Sequence, residues 1–117
     1  IYVMSYFTLV VFLCFFKTFC AQVTVIPDSF FVQELIDQGI DSDGMINGMV
    51  ATADVENLTS LEILGNMNIT SLVGLQDFQS LMMLRLEELG ILQVDISALT
   101  NLDDFNLGFM SENFFGY

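Results

Sequence analysis

No histidine occurs anywhere in the 117 residues. That absence removes serine–histidine catalysis and most transition-metal sites, which depend on imidazole. Cysteine is nearly as scarce. Cys14 and Cys20 are the two present, and both lie in the first apolar stretch. Beyond Ala21 there is no thiol to build a disulfide framework, a zinc cluster or a cysteine nucleophile. Basic residues are missing too. Lys17 and Arg85 stand against fifteen acids, a formal net charge of −13. If the N-terminal stretch is removed, Lys17 leaves with it and the charge becomes −14. Such a surface repels nucleic acid and anionic membranes, so no nucleic-acid partner is expected. It reads as an acidic surface kept soluble by self-repulsion. Disorder does not follow, because 54% of the residues are hydrophobic and they recur periodically.

The apolar stretch is "IYVMSYFTLVVFLCFFKTFCA", residues 1–21. Its unbroken part, Phe7 to Phe16, suits the central region of a signal peptide. A bilayer span needs roughly 20 apolar residues, and Lys17 interrupts this run well before that. Cleavage after Cys20 places the small residues Thr18 and Cys20 at the −3 and −1 positions. The reading is export by a cleaved signal, with a retained anchor as the alternative; the membrane enters only if the segment stays. Cys20 is not a lipidation site, because Lys17, Thr18 and Phe19 do not form the required preceding motif.

Residues 22–57 read as an N-terminal cap. "PDSFFVQELIDQGI" predicts a helix over about 29–38. Asp28 or Ser29 can cap its start, and Phe31 with Leu35, and Val32 with Ile36, share faces. Gly39 fits the position just past the helix, and Ile40 the apolar contact that follows it. The next stretch, "GIDSDGMING", has two possible meanings. Asp41 and Asp43 with Gly44 resemble the middle of a calcium loop. A twelve-residue loop of that type also needs an acid at its first position and a glutamate at its last. Gly39 and Val50 occupy those positions here. The stretch therefore reads as turns, with calcium at Asp41 and Asp43 the minor alternative. No other metal and no cofactor is expected.

From Leu58 the pattern changes. Leu58-x-x-Leu61-x-Ile63 returns as Leu81-x-x-Leu84-x-Leu86 and as Leu102-x-x-Phe105-x-Leu107, at intervals of 23 and 21 residues. This is the leucine-rich repeat pattern, whose period is about 20–29 residues. Each Leu-x-Leu would be a short parallel strand, and stacking coils would bury what one coil cannot. The predicted fold class is α/β: a short leucine-rich repeat solenoid with parallel strands on one face and an N-terminal helical cap. Residues 58–110 would be two coils and the start of a third. Residues 111–117 would be a tail, with Phe109, Met110, Phe114 and Phe115 left without a polar capping unit. That abrupt end, and a first residue Ile1, suggest a truncated chain. A complete protein whose aromatic tail folds back as a cap is the alternative.

With those residues in view, "IPDSFFVQELIDQGIDSDGMING" followed by "LTSLEIL", "ITSLVGLQDFQSL" and "LQVDISALTNL" resembles the N-terminal part of exported bacterial leucine-rich repeat proteins, internalin-like in general architecture. The resemblance implies an exported or surface-attached binding protein and no common catalytic residue. It has departures. The first coil runs nine residues from Leu61 to Ile69 where the pattern has eight. The asparagine position is filled by Asn66, Leu89 and Met110, so no asparagine ladder can form.

Residues flanking the inward leucines would face outward on the concave sheet. The candidate binding strip is Glu62, Met83, Arg85, Glu87, Asp104 and Asn106, beside Ser60, Leu64 and Gly108. Glu62, Arg85 and Asn106 should lie in one row, and Arg85 should pair with a neighbouring glutamate. Glu87-Glu88 and Asp103-Asp104 are adjacent in sequence, so on strands they point to opposite faces and do not converge as catalytic pairs. No enzyme is expected. Asn57-Leu58-Thr59 and Asn68-Ile69-Thr70 are glycosylation sequons, which the bacterial resemblance makes chance products. The expected function is non-catalytic recognition of an extracellular protein or glycan. The alternative is a structural spacer, or the N-terminal part of a larger exported protein that carries another domain.

Overall fold

A computed structural model of the protein describes residues 22–110 and residue 114. The expected signal segment, 1–21, lies outside the described residues, as does all of the 111–117 tail except Phe114. Among the described residues, no helix is long and apolar enough to cross a membrane.

Strand β1 (Val23–Val25) pairs antiparallel with β2 (Met49–Ala51). Alternation turns Thr24 and Val50 inward and leaves Val23, Val25, Met49 and Ala51 exposed. Between them runs helix α1 (Ser29–Asp37), which buries Phe31, Val32 and Leu35. Those three positions fall on one stripe at helical spacing, and each full burial stabilises by about 2 kcal/mol. Asp28 is the N-cap. Its Oδ1 accepts from the N–H groups of Phe30 at 3.0 Å and Phe31 at 3.2 Å. The helix closes with Gly39 at φ +74°. Gly39 N donates to Ile36 O and Ile40 N to Leu35 O, so two end carbonyls that the helix leaves open find partners. A short helix α2 (Thr52–Val55) follows β2.

The remaining strands form a second sheet. Strands β3 (Ser60–Leu64), β4 (Met83–Glu87) and β5 (Asp104–Leu107) lie in that order, all parallel. Leu61, Ile63, Leu84 and Leu86 point into the core, while Phe105 and Leu107 are half-buried. The strand starts are fixed by paired contacts. Thr59 O accepts from Met82 N and Met83 N, and Met82 O accepts from Asp103 N and Asp104 N.

The expected leucine-rich repeat solenoid is corrected by this architecture. The described residues form two small sheets, an antiparallel pair and a parallel triple, with two α-helices and no repeat array among them. A repeat array requires each unit to present the same strand and the same return path. Here the β3–β4 connection contains a 3-10 turn (Leu75–Asp77), whereas the β4–β5 connection contains no helical segment. The core is also not a column of leucines. One cluster combines Ile26, Phe31, Val32, Leu35, Val50 and Val55 with the leucines of the second sheet. The Leu-x-x-Leu-x-Leu pattern therefore supplies the buried face of one sheet. The other side of the core comes from the aperiodic N-terminal unit.

Several contacts join the two sheets. Phe31 stacks on Phe78 with ring centroids 6.1 Å apart and an interplanar angle of 19°. Gly74 opens the 3-10 turn at φ +109°. A Cβ there would lie 2.6 Å from Ile26 Cγ1 and 2.9 Å from Val25 O, so the turn rests directly on the end of β1. The second oxygen of Asp28, Oδ2, accepts from Thr70 N at 2.9 Å and Ser71 N at 3.0 Å. One carboxylate thus caps α1 and anchors the chain that follows β3. At the far end, Phe109 is 85% exposed, while Met110 and Phe114 pack partly on the core.

Candidate functional site

The parallel register places the predicted strip on one surface. Ser60, Met83 and Asp104 align across the sheet, as do Glu62, Arg85 and Asn106; Leu64 aligns with Glu87. Strand alternation sends all of them away from the buried Leu61, Ile63, Leu84 and Leu86. Ser60, Glu62, Leu64, Asp104 and Asn106 are exposed; Met83, Arg85 and Glu87 on the central strand are half-buried by their neighbours.

The electrostatics of this face centre on Arg85. Its Nη2 and Nε donate to the same oxygen of Glu87, at 2.9 and 3.2 Å. The two residues are on one strand, two apart, and hence on one face. Glu87 was one of two glutamates expected to flank Arg85. The other, Glu62, acts on it only through its charge. The hydrogen bonds from Arg85 to Glu87, followed by that carboxylate's charge, hold the guanidinium proton more tightly than usual. Gly108 makes this geometry possible. A Cβ at Gly108 would collide with Glu87 Cγ, so the glutamate side chain lies directly over the glycine. Counting Glu62, Glu87 and Asp104 against Arg85, the face is acidic.

Asp41 and Asp43, the residues of the calcium alternative, are occupied in a different way. Asp41 Oδ1 accepts from Asp43 N at 3.3 Å. Asp43 Oδ1 accepts from Met45 N at 2.8 Å, and its Oδ2 from Asn47 Nδ2 at 3.0 Å. Asp54, on α2, accepts from Ser42 N at 2.9 Å. Each carboxylate folds the loop by binding a backbone amide. Among the described residues, no three acidic, histidine or cysteine side chains gather as a metal-holding group. Asp41 is buried, and its Oδ2 has no hydrogen-bond partner. Burial is the main reason its carboxyl is pushed above the ordinary aspartate value, helped by the nearby charges of Asp43 and Asp54. Asp43 moves the other way, chiefly because of the Met45 amide.

Two features were not singled out from the sequence. Asp28 Oδ2 reaches across 42 residues to Thr70, a link that no local pattern reveals. Thr24 is buried and joins β1 to two other elements. Its hydroxyl lies 2.8 Å from Asp77 Oδ2 and 3.0 Å from Thr52 Oγ1. Since Thr24 gives its single proton to Asp77, Thr52 must be the donor to Thr24. Beside this chain is an open hollow of about 440 Å³ lined by Gln22, Val23, Thr52, Glu56, Asp77 and Gln79.

No family model, curated protein or solved structure matches the chain. The resemblance to exported bacterial proteins therefore rests on sequence pattern alone, and the site has to be read from its own geometry.

Proposed function

We propose that this protein is an exported, non-catalytic binding module that recognises an extracellular protein or glycan through the outward face of β3, β4 and β5. The observation that carries this reading is the row Glu62–Arg85–Asn106, in register across three parallel strands. Rigid strands hold donors and acceptors at fixed spacings, which favours recognition of a matching polar surface. The side chains of Glu62, Asp104 and Asn106 accept no backbone hydrogen bond among the described residues, so their hydrogen-bonding capacity is open to a ligand. Half-buried Met83 and exposed Leu64 add apolar area beside the polar row. The excess of carboxylates selects neutral or basic partners and disfavours acidic ones. Export is supported by the apolar N-terminal segment.

The test is a screen of extracellular proteins and glycans against the full chain, followed by Arg85→Ala and Asn106→Ala. A ligand that uses this face should lose at least tenfold in affinity with the double variant. Folding, followed by circular dichroism and urea titration, should change little, since a surface ion pair with both partners partly in contact with solvent contributes little to stability. Unaltered affinity would remove the sheet face from consideration.

A further inference from the structure

The turns at the two ends of β3 each carry an Asn-x-Thr sequence, Asn57-Leu58-Thr59 before the strand and Asn68-Ile69-Thr70 after it. A bacterial resemblance makes them chance products, but the solenoid that resemblance implies is absent among the described residues. Both asparagines are exposed and both lie in turns. Among the described residues neither side-chain amide takes part in a hydrogen bond, so no described group competes for it. A substituent on either nitrogen would project into solvent and displace no core atom.

We propose that Asn57 and Asn68 are N-glycosylation sites, modified as the chain enters a secretory lumen; this rests on the export reading above. In the transfer, asparagine Nδ2 forms a bond to the anomeric carbon of an oligosaccharide carried on a lipid pyrophosphate. The bond from that carbon to the pyrophosphate oxygen breaks, and the lipid pyrophosphate leaves with the electron pair. The amide proton passes to a base of the transferase.

The geometry also dictates timing. In the folded protein Ile69 is fully buried, and Thr70 N and Oγ1 both contact Asp28 Oδ2. Thr59 O is held by the amides of Met82 and Met83. Neither sequon can adopt the extended, accessible form a transferase needs once the sheet has closed. Modification therefore precedes folding at both sites. Folding then leaves each sugar outside, at opposite ends of the same strand.

Translation of the full chain with microsomal membranes tests this. Two endoglycosidase-sensitive mass steps are expected on the protease-protected chain. Asn57→Gln and Asn68→Gln should each remove one step, as should Thr59→Ala and Thr70→Ala, and the double asparagine variant should remove both. A protected chain of unmodified mass overturns the proposal while leaving export intact. A chain that remains accessible to protease overturns both. A single step overturns the assignment at whichever asparagine can be replaced without effect.

Discussion

Residues 22–57 contain Asp28, Asp41, Asp43 and Asp54, and each accepts at least one backbone N–H. The outward face of β3–β5 carries Glu62, Asp104 and Asn106, whose side chains accept none among the described residues. The residue types are similar and their uses are opposite. In the N-terminal unit, irregular backbone leaves amides unpaired, and short carboxylates satisfy them. In the parallel sheet the backbone pairs with itself, so side chains are released from that task. Polar groups that hold the chain in shape are not free to meet a partner, whereas those on the sheet are. This difference locates the candidate site better than charge or exposure alone.

The contrast can be broken most severely at Asp28. Asp28→Ala removes the cap of α1 and orphans the amides of Thr70 and Ser71 together. A loss of about 3 kcal/mol in urea unfolding is expected. Asp28→Asn should fall between, because it keeps a capping oxygen but sets a donor against those two amides. Next in size is Thr24→Val, which preserves shape and deletes the link to Asp77 and Thr52. It should cost about 1–2 kcal/mol, measured in the same way.

The smallest effect sharpens the comparison through pH. Asp41 has a raised folded-state value, so the folded protein holds that proton more tightly than the unfolded chain. Its effect on stability is absent below the ordinary value of 3.8 and becomes a growing penalty as pH rises through the folded value. Asp43 is lowered and acts oppositely, as does Asp95 between β4 and β5, lowered by its hydrogen bonds with the Ser97 hydroxyl and amide. Their stabilisation is present above 3.8 and is lost as pH falls through their folded values. Asp41→Asn should therefore raise the unfolding midpoint at pH 7, and the gain should vanish in acid. A gain that is constant with pH would mean that the buried charge is not its cause.

Much of the local structure was legible in the sequence, for physical reasons. Phe31, Val32 and Leu35 recur at helical spacing, and Gly39 with Ile40 gives a helix end that depends only on neighbours. The common register of Glu62, Arg85 and Asn106 follows because each lies one residue after Leu61, Leu84 or Phe105, and strand alternation is rigid. The leucine pattern does not by itself specify a solenoid, because it reports which face of a strand is buried. It does not report what lies against that face. Phe31 against Phe78, and Ile26 beneath Gly74, are contacts between segments with no shared period. Asp28 Oδ2 and Thr24 escaped notice because their partners lie far along the chain. The role of Gly108 was hidden for another reason, since the space it leaves matters only once Glu87 crosses from the adjacent strand.

Gln38, just past α1, uses one side-chain nitrogen twice. Nε2 donates to Glu34 Oε1 at 2.9 Å and to Glu62 O, on the edge of β3, at 2.7 Å. An open strand edge invites a strand from a neighbouring molecule, which is a common first step in aggregation. Here such a strand would first have to pull the end of a helix away from a carbonyl it already occupies. A glutamine that finishes a helix thus also occupies a carbonyl that an added strand would need.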